Sequence, residues 1–207
     1  MILYLIRHGR SQANEQRLVT GTPSDSLSVV GRNQAAGLAD WLSKQSVQPE
    51  RFMVSHWSRA RETAEIVFPE ADWVTDTRLG ETDAGSVANL PLTNFLQDQP
   101  NFYANLGNRY PGGESHLDLN ARTLACLDEQ LQKPCRLMAV VAHSGPITCI
   151  LQHVLQMDMT SFPAFLPMHA TVSVVHFSNQ SGVWTGRLAG FALGPAENTV
   201  EILHGDH

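Results

Sequence analysis

The stretch ILYLIRHG, residues 2–9, joins an uninterrupted apolar run to an arginine and a histidine. Such a run is typical of a strand that is buried on both faces of a sheet. A second run of this kind, LMAVVA at residues 137–142, ends at His143. In open α/β sheets, ligands bind beyond the carboxyl ends of the strands. We therefore expect His8 and His143 to leave the sheet at the same, functional edge.

Helical and extended patterns alternate along the rest of the chain. Apolar residues recur at helical spacing, or follow a proline suited to a first helical turn, in four regions: 35–42, 60–67, 117–131 and 146–155. Short apolar or alternating runs predict three further strands: 52–54, 171–177 and 183–191. This alternation predicts an α/β fold, a three-layer α/β/α sandwich with a mostly parallel central sheet.

The chain has 207 residues, of which 43% are hydrophobic, enough for one domain with a real core. We predict a single domain over residues 1–207. The segment 82–113 is the least regular part and is divided by prolines. We predict that it forms an inserted lid over the site, with a short helix near 92–103.

The net charge and the cysteine content limit the kinds of binding partner and the cellular compartment that we expect. The formal net charge is −6, which argues against nucleic-acid or anionic-membrane partners. Three cysteines without metal-ligand spacing are typical of free thiols in a reducing compartment. The first residues lack a basic leader and a small-residue cleavage site, and no apolar stretch is long enough to span a bilayer. We expect a cytoplasmic protein, and a homodimer stays open.

Two arginines and a glutamate complete the candidate site. Arg7 is fused to His8, and Arg59 follows a third predicted strand near the start of a helix whose apolar face turns toward the core. Guanidinium groups match phosphate oxygens bidentately and keep their charge, so two of them beside two imidazoles describe a phosphoryl site. Glu81, in the loop LGETDAG, could supply the proton that a departing alkoxide needs.

The ordered set of motifs resembles the histidine phosphatase superfamily, the phosphoglycerate-mutase-like enzymes, over nearly the whole chain. Its counterparts here are RHG at 7–9, SLS followed by GR at 26–32, SHWSRARET at 55–63, LGETDAG at 79–85, GGES at 112–115 and HSG at 143–145. Ser11 and Asn14 match polar positions of its first loop, and Thr20-Gly21 match its phosphate-site loop. Ser26 stands where the family often has proline, and Trp57 where it has leucine.

The resemblance implies a role for each of these residues. Neutral His8 would attack phosphorus and become phosphorylated, while Arg7, Arg59 and His143 hold the transferring group. Asn14 and backbone N–H groups near Gly9 and Ser144 would add donors. Glu81 would protonate the leaving oxygen and then help to activate water. The substrate would be a small phosphorylated metabolite, and neither a metal nor another cofactor would be needed.

Several alternatives stay open at this stage. Members with mutase activity typically carry a longer insertion with a basic cluster, whereas residues 83–142 hold four scattered cations, so we favour a phosphatase over a cofactor-dependent mutase. A weakly active regulatory phosphate-binding member is the other alternative within the family. An α/β hydrolase or nucleotide-binding domain lacks support, because the chain has neither a nucleophilic-serine elbow nor a glycine-rich phosphate loop.

Other residues receive a weaker interpretation. Arg10 would either contact a second anionic group or point into solvent. Phe95, Phe102 and Tyr103 would line the pocket or, more commonly, pack the insertion onto the domain. The remaining histidines, His169 and His204 among them, show no ligand spacing, and no role is predicted for them.

Overall fold

The fold is built on one six-stranded sheet in a computed structural model that describes residues 1–133 and 135–199. Its strands are β1 (Ile2–Arg7), β2 (Arg51–Ser55), β3 (Trp73–Asp76), β4 (Leu137–Ala142), β5 (Val172–Gln180) and β6 (Val183–Leu193). Their order across the sheet is β3-β2-β4-β1-β5-β6. The first four strands of that order are mutually parallel, and β5 and β6 are antiparallel to their neighbours.

Helices cover both faces of this sheet. They are α1 (Gln12–Glu15), α2 (Val29–Lys44), α3 (Ser58–Val67), α4 (Leu92–Asp98), α5 (His116–Leu131), α6 (Ser144–Val154) and α7 (Ala196–Thr199). Short 3₁₀ turns lie at Thr77–Leu79, Gly85–Val87, Phe102–Ala104 and Met159–Ser161. None of the helices within 1–133 and 135–199 is long and apolar enough to cross a membrane.

The core consists of two layers, one on each face of the sheet. Because successive side chains of a strand point to opposite faces, Leu5 and Val140 pack with α5 and α6, whereas Ile6 and Val141 pack with α2 and α3. The predicted three-layer α/β/α sandwich with a mostly parallel sheet is therefore confirmed.

The segment predicted as a lid has a small core of its own. Ala84, Ala88, Phe95, Phe102 and Tyr110 form a buried cluster separate from the two main layers. The short helix expected near 92–103 is α4 followed by a 3₁₀ turn. Phe95 and Phe102 therefore pack within the segment itself, rather than onto the main core as the commoner of the two interpretations expected.

Two local features differ from the sequence expectation. Strand β3 was not predicted, because WVTD at the sheet edge is only partly buried and lacks an apolar run. The loop after β1 contains the one-turn helix α1, which Ser11 caps.

At the other end of the sheet, the predicted turn joins β5 to β6 with Ser181 and Gly182 both at positive φ, as tight hairpins require. The tail with His204 lies outside the described residues.

Candidate active site

The two strand-end histidines lie side by side. Strands β1 and β4 are adjacent and parallel, with Arg7 opposite Ala142, so His8 and His143 emerge together. Their ring centroids are 4.8 Å apart, and both rings are almost fully buried. The convergence inferred from the two apolar runs is present in the structure.

The hydrogen bonds of His8 define its tautomer. Nδ1 lies 2.6 Å from the carbonyl oxygen of Gly9, which can only accept, so Nδ1 carries the hydrogen. Nε2 accepts a hydrogen bond of 3.1 Å from Nε of Arg59. Burial lowers the pKa of His8 well below its usual range, and electrostatic interactions with Arg59, His169 and Arg7 lower it further. His8 is therefore neutral, with its lone pair on Nε2.

Arg59 is a buried guanidinium that is held from three sides. Besides His8, it donates from Nη1 to Oδ2 of Asp25 at 3.0 Å and from Nη2 to the carbonyl oxygen of Thr20 at 3.1 Å. Its guanidinium carbon also lies 4.4 Å from the ring centroid of Trp57. These contacts fix the fork in one orientation at the start of α3, beside the nucleophile candidate.

His143 has one satisfied and one unsatisfied ring nitrogen. Nε2 lies 2.8 Å from Oγ of Ser55, the last residue of β2. That oxygen already accepts the backbone N–H of Trp57, so its own hydrogen is available to Nε2. Nδ1 is buried without a hydrogen-bond partner in the described part of the chain. Burial, followed by the charge of Arg59, lowers the pKa of His143 well below its usual range, so the ring is neutral.

Asn14 is oriented by donors on both sides of its amide oxygen. The backbone N–H and the hydroxyl of Ser11 both donate to Oδ1, each at 3.0 Å, and Nε2 of His169 lies 3.1 Å from the same oxygen. A backbone N–H can only donate, so the acceptor is the amide oxygen and His169 must donate to it. Asn14 lines the cavity, and its NH₂ group is turned away from these partners.

Glu81 is held by the N-terminus of α6 and by its own neighbour. The backbone N–H of Thr82 donates to Oε1 at 2.9 Å, and the Ser144 hydroxyl and the Gly145 N–H donate to Oε2 at 3.2 and 3.3 Å. A Cβ at Gly145 would overlap Oε1 and lie 2.9 Å from Cδ2 of Leu119. Only glycine lets the carboxylate approach the helix this closely.

Arg122 fixes the backbone that carries Glu81. Its guanidinium donates to the carbonyl oxygens of Arg78, Gly80 and Glu81 at 2.7 to 2.9 Å. It also forms a two-pronged ion pair with Glu114, the glutamate of the GGES segment. One side chain from α5 thus ties the glutamate loop to the end of the lid segment.

The other predicted site residues fall into two groups. Arg7, Thr20 and Ser144 line the cavity, and Arg7 donates from Nη1 to the carbonyl oxygen of Pro167 at 2.7 Å. Gly9 and Gly21 lie beside the cavity instead. The backbone N–H of Gly9 donates to Oγ1 of Thr63, so it is not directed at the cavity as a phosphate donor. Gly21 has a φ of 71°, and a Cβ there would lie 3.3 Å from Nη1 of Arg59.

Arg10 is not among the residues that line the cavity. Its Nε lies 3.6 Å from Oε1 of Glu15, and its backbone N–H donates to Gln34. Ser11 likewise serves as the cap of α1 and reaches the cavity only through Asn14.

These residues surround a cavity of about 500 Å³. One part of its lining holds the charged and polar groups around His8 and Glu81. The other part is contributed by apolar and aromatic side chains, many of them from the lid segment and from residues 162–166. Tyr103 belongs to this lining, whereas Phe95 and Phe102 do not.

Four functional candidates were not predicted from the sequence: Asp25, Ser55, Arg122 and His169. A buried arginine requires a counter-charge, so Arg59 on an apolar helix face was a signal that a carboxylate such as Asp25 must exist. The sequence holds no comparable signal for His169, because it meets Asn14 across 155 positions of the chain.

Comparison with known families agrees with this geometry. A family model described as the histidine phosphatase superfamily, branch 1, matches residues 3–187. The chain belongs to the histidine phosphatase superfamily. The resemblance drawn from the ordered motifs is confirmed.

Individual relatives carry several different activities in their names. The chain is 30% identical over 179 residues to a 6-phosphofructo-2-kinase/fructose-2,6-bisphosphatase of Gallus gallus, a match that covers 83% of this chain and 37% of that protein. The chain thus spans a little over a third of that relative's length. It is 28% identical over 161 residues to a probable phosphoglycerate mutase of Yersinia enterocolitica, covering 74% of each. A mycobacterial glucosyl-3-phosphoglycerate phosphatase solved with VO₃ superposes with a TM-score of 0.80 at 26% identity, covering 92% of this chain and 98% of that one.

Proposed function

We propose that this chain hydrolyses a phosphomonoester of a small metabolite through a phosphohistidine at His8, without a metal ion. The observation that carries the proposal is the tautomer of His8: a neutral imidazole with its lone pair on Nε2, beside a fixed guanidinium and a carboxyl group in one cavity. Phosphoryl transfer needs mainly positioning and positive charge, and this cavity supplies both.

In the first step, Nε2 of His8 attacks phosphorus as the ester P–O bond breaks. The Nε–H of Arg59 exchanges its bond to Nε2 for a bond to a phosphoryl oxygen, which frees the lone pair. The carboxyl group of Glu81 passes a proton to the departing alcohol oxygen. The Nδ1–H of His8 stays on the Gly9 carbonyl, which steadies the imidazole as it becomes positively charged.

In the second step, water attacks phosphorus while the Nε2–P bond breaks. Glu81 takes the proton of that water, and inorganic phosphate leaves with the enzyme restored. Throughout both steps, Arg7, Arg59 and the NH₂ group of Asn14 donate to the phosphoryl oxygens. Nδ1 of His143, buried without a partner within the described residues, gains one when an oxygen accepts its hydrogen.

The mutase alternative requires a second anionic group on the substrate and an acceptor hydroxyl at the same phosphorus. The relative named as a probable phosphoglycerate mutase keeps this alternative in view. Arg7 and Arg59 are the cations among the described residues that line the cavity, and both belong to the phosphoryl site. We therefore favour water as the acceptor. A regulatory phosphate-binding role would leave Glu81 without a purpose.

The test of His8 is a rapid-quench experiment with a ³²P-labelled phosphomonoester. Wild type is expected to form an acid-labile, base-stable phosphoenzyme, and His8→Ala to lose the label and about 10⁴-fold or more of its turnover. His153→Ala, which removes an exposed histidine of α6, is the matched control and should keep both. Acid-stable label, or turnover by His8→Ala close to that of wild type, would exclude this nucleophile.

Metal independence is tested on the same reaction. Because Arg7 and Arg59 supply the positive charge in the cavity, dialysis against EDTA should leave kcat and KM unchanged within experimental error. The measurement is phosphate release before and after dialysis and after adding back Mg²⁺, Mn²⁺ or Zn²⁺. A loss of activity that one of these ions restores would contradict the proposed chemistry.

A further inference from the structure

The cavity extends beyond the phosphoryl site along a wall of apolar and aromatic side chains. Its main members are Leu18, Leu92, Tyr103, Leu106, Phe162 and Leu166. Two of them are well exposed for their size: Tyr103 at 42% and Leu166 at 51%. Large apolar groups exposed at the mouth of a cavity gain free energy when a ligand covers them.

This wall carries no positive charge for a second anionic group. Within residues 1–133 and 135–199, the arginines that line the cavity are Arg7 and Arg59, and no lysine does so. The nearby Arg122 is committed to Glu114 and to three backbone carbonyls. A carboxylate or second phosphate on the substrate would lose its hydration here without gaining a partner, which is costly.

His116 is the polar exception in the wall. It is only 9% exposed and lies among three aromatic rings, with its centroid 5.7 Å from Tyr103, 6.0 Å from Tyr110 and 5.3 Å from Phe162. Its ring forms no hydrogen bond to any residue that the structure describes. Burial lowers its pKa, so the ring is neutral and presents one donor and one acceptor nitrogen.

We propose that the alcohol part of the substrate is an uncharged aromatic or similarly flat apolar group that packs against Tyr103 and Phe162, with a hydroxyl or ring heteroatom that hydrogen-bonds to His116. This substrate class rests on the proposed phosphatase function. The His116 ring bonds to no other described residue, so its nitrogens can bind such a heteroatom, and the surrounding rings supply the apolar contact.

The test compares four esters of primary alcohols, so that the leaving groups differ little in reactivity. They are ethyl phosphate, 2-phenylethyl phosphate, 2-(4-hydroxyphenyl)ethyl phosphate and 3-phosphoglycerate. Burial of a phenyl group predicts a kcat/KM about tenfold or more above that of ethyl phosphate. The added hydroxyl should raise it by about threefold to tenfold, the effect of one hydrogen bond. 3-Phosphoglycerate should be no better than ethyl phosphate.

Three variants assign the preference to the wall. Tyr103→Ala should lower kcat/KM for the phenylethyl esters by about tenfold more than for ethyl phosphate. His116→Phe keeps a ring but removes its nitrogens, so it should abolish the advantage of the hydroxyl and spare the phenyl preference. Leu117→Ala, an exposed neighbour outside the cavity lining, is the control and should change nothing.

The outcomes separate this inference from the proposed function. Phosphate release from all four esters with equal kcat/KM, or fastest from 3-phosphoglycerate, would overturn the substrate class and leave the phosphatase function standing. Equal losses in Tyr103→Ala for every ester would overturn it as well. If no ester is hydrolysed, the phosphatase function fails, and the ligand class is then tested by calorimetric binding of 2-phenylethylphosphonate and ethylphosphonate to His8→Ala. Tighter binding of 2-phenylethylphosphonate would support the ligand class. Equal affinities for the two phosphonates would overturn it.

Discussion

At the scale of single residues, the hydrogen bonds among the side chains of the site hold these side chains in place before a ligand binds. Arg59 donates to His8, Asp25 and Thr20, and Asn14 receives three hydrogen bonds on one oxygen. The carboxylate of Asp25, which also accepts the backbone N–H of Ala13, makes a buried guanidinium tolerable. Preorganised donors cost little to align during reaction. The residues next to His8 are therefore as important to the proposed reaction as His8 itself.

His169 is a positioning residue by this reasoning, and its removal has a defined consequence. His169→Leu loses the N–H that orients Asn14, so kcat/KM for a phosphomonoester should fall by about tenfold, mostly through a higher KM. His169→Gln keeps an N–H and should recover part of the loss. Steady-state kinetics of both variants provide the measurement. Equal losses in the two variants would assign His169 a packing role only.

At the scale of elements, strand ends and helix starts bring the chemistry together. β1, β2 and β4 deliver His8, Ser55 and His143, and the N-terminus of α6 receives Glu81. The partial positive charge of a helix N-terminus suits a carboxylate there. Arg122 of α5 ties the glutamate loop to the same place. Because the site residues come from several strands and helices, their geometry depends on how closely the strand ends and helix starts approach one another.

Gly145 tests that close approach. In Gly145→Ala, the new Cβ overlaps Oε1 of Glu81, so the carboxyl group must move away from the leaving oxygen. We expect kcat for an alkyl phosphate to fall by about 10²-fold or more, the usual range for a lost general acid. 4-Nitrophenyl phosphate, whose leaving group needs no proton, should be much less affected.

The matched control is Gly37→Ala on α2, where the nearest atom to a new Cβ is 3.7 Å away. Activity should be unchanged, and the free energy of unfolding should rise by about 0.5–1 kcal/mol because alanine favours the helix. If Gly145→Ala slows both esters equally, its effect does not pass through the acid role of Glu81.

At the scale of the whole molecule, the sandwich buries imidazoles in their neutral form, and this couples folding to pH. Burial lowers the pKa of His8 and His143 well below the unfolded value near 6.5. Below that pH, the two histidines bind protons in the unfolded chain but not in the folded chain. Stability is therefore complete above about pH 6.5 and is lost as the pH falls.

Urea unfolding between pH 7.5 and 5 measures this coupling. Each of the two histidines should contribute a loss of up to about 1.4 kcal/mol per pH unit below 6.5. Carboxyl groups with lowered pKa, such as Asp76, affect stability only nearer their unfolded value of 3.8, outside this range. His143→Gln should show a shallower slope than wild type. A free energy of unfolding that stays constant or rises on acidification would show that these rings are not held neutral.

The sequence by itself determined the sandwich, the functional edge and five converging residues: Arg7, His8, Arg59, Glu81 and His143. Arg7, His8 and His143 follow from a local pattern, since an apolar run predicts a buried strand and the residues at its end leave the sheet. Arg59 was inferred from the apolar face of its helix, and Glu81 from a loop motif that resembles the family's. The partly buried edge strand β3 carries no such pattern and was missed for that reason.

Tertiary structure alone decided which groups complete the site and which apolar and aromatic side chains line the rest of the cavity. The contacts of Asp25 with Arg59, of Arg122 with Glu81 and of His169 with Asn14 each join residues 34 or more positions apart in the chain. His116, Tyr103 and Phe162 come from three separate parts of the chain, and their rings meet only in the folded structure. Such contacts depend on strand order and on the path of loops, neither of which leaves a periodic trace in the sequence. The charged part of the cavity around His8 and Arg59 could be predicted from the sequence, but the aromatic side chains beside it could not.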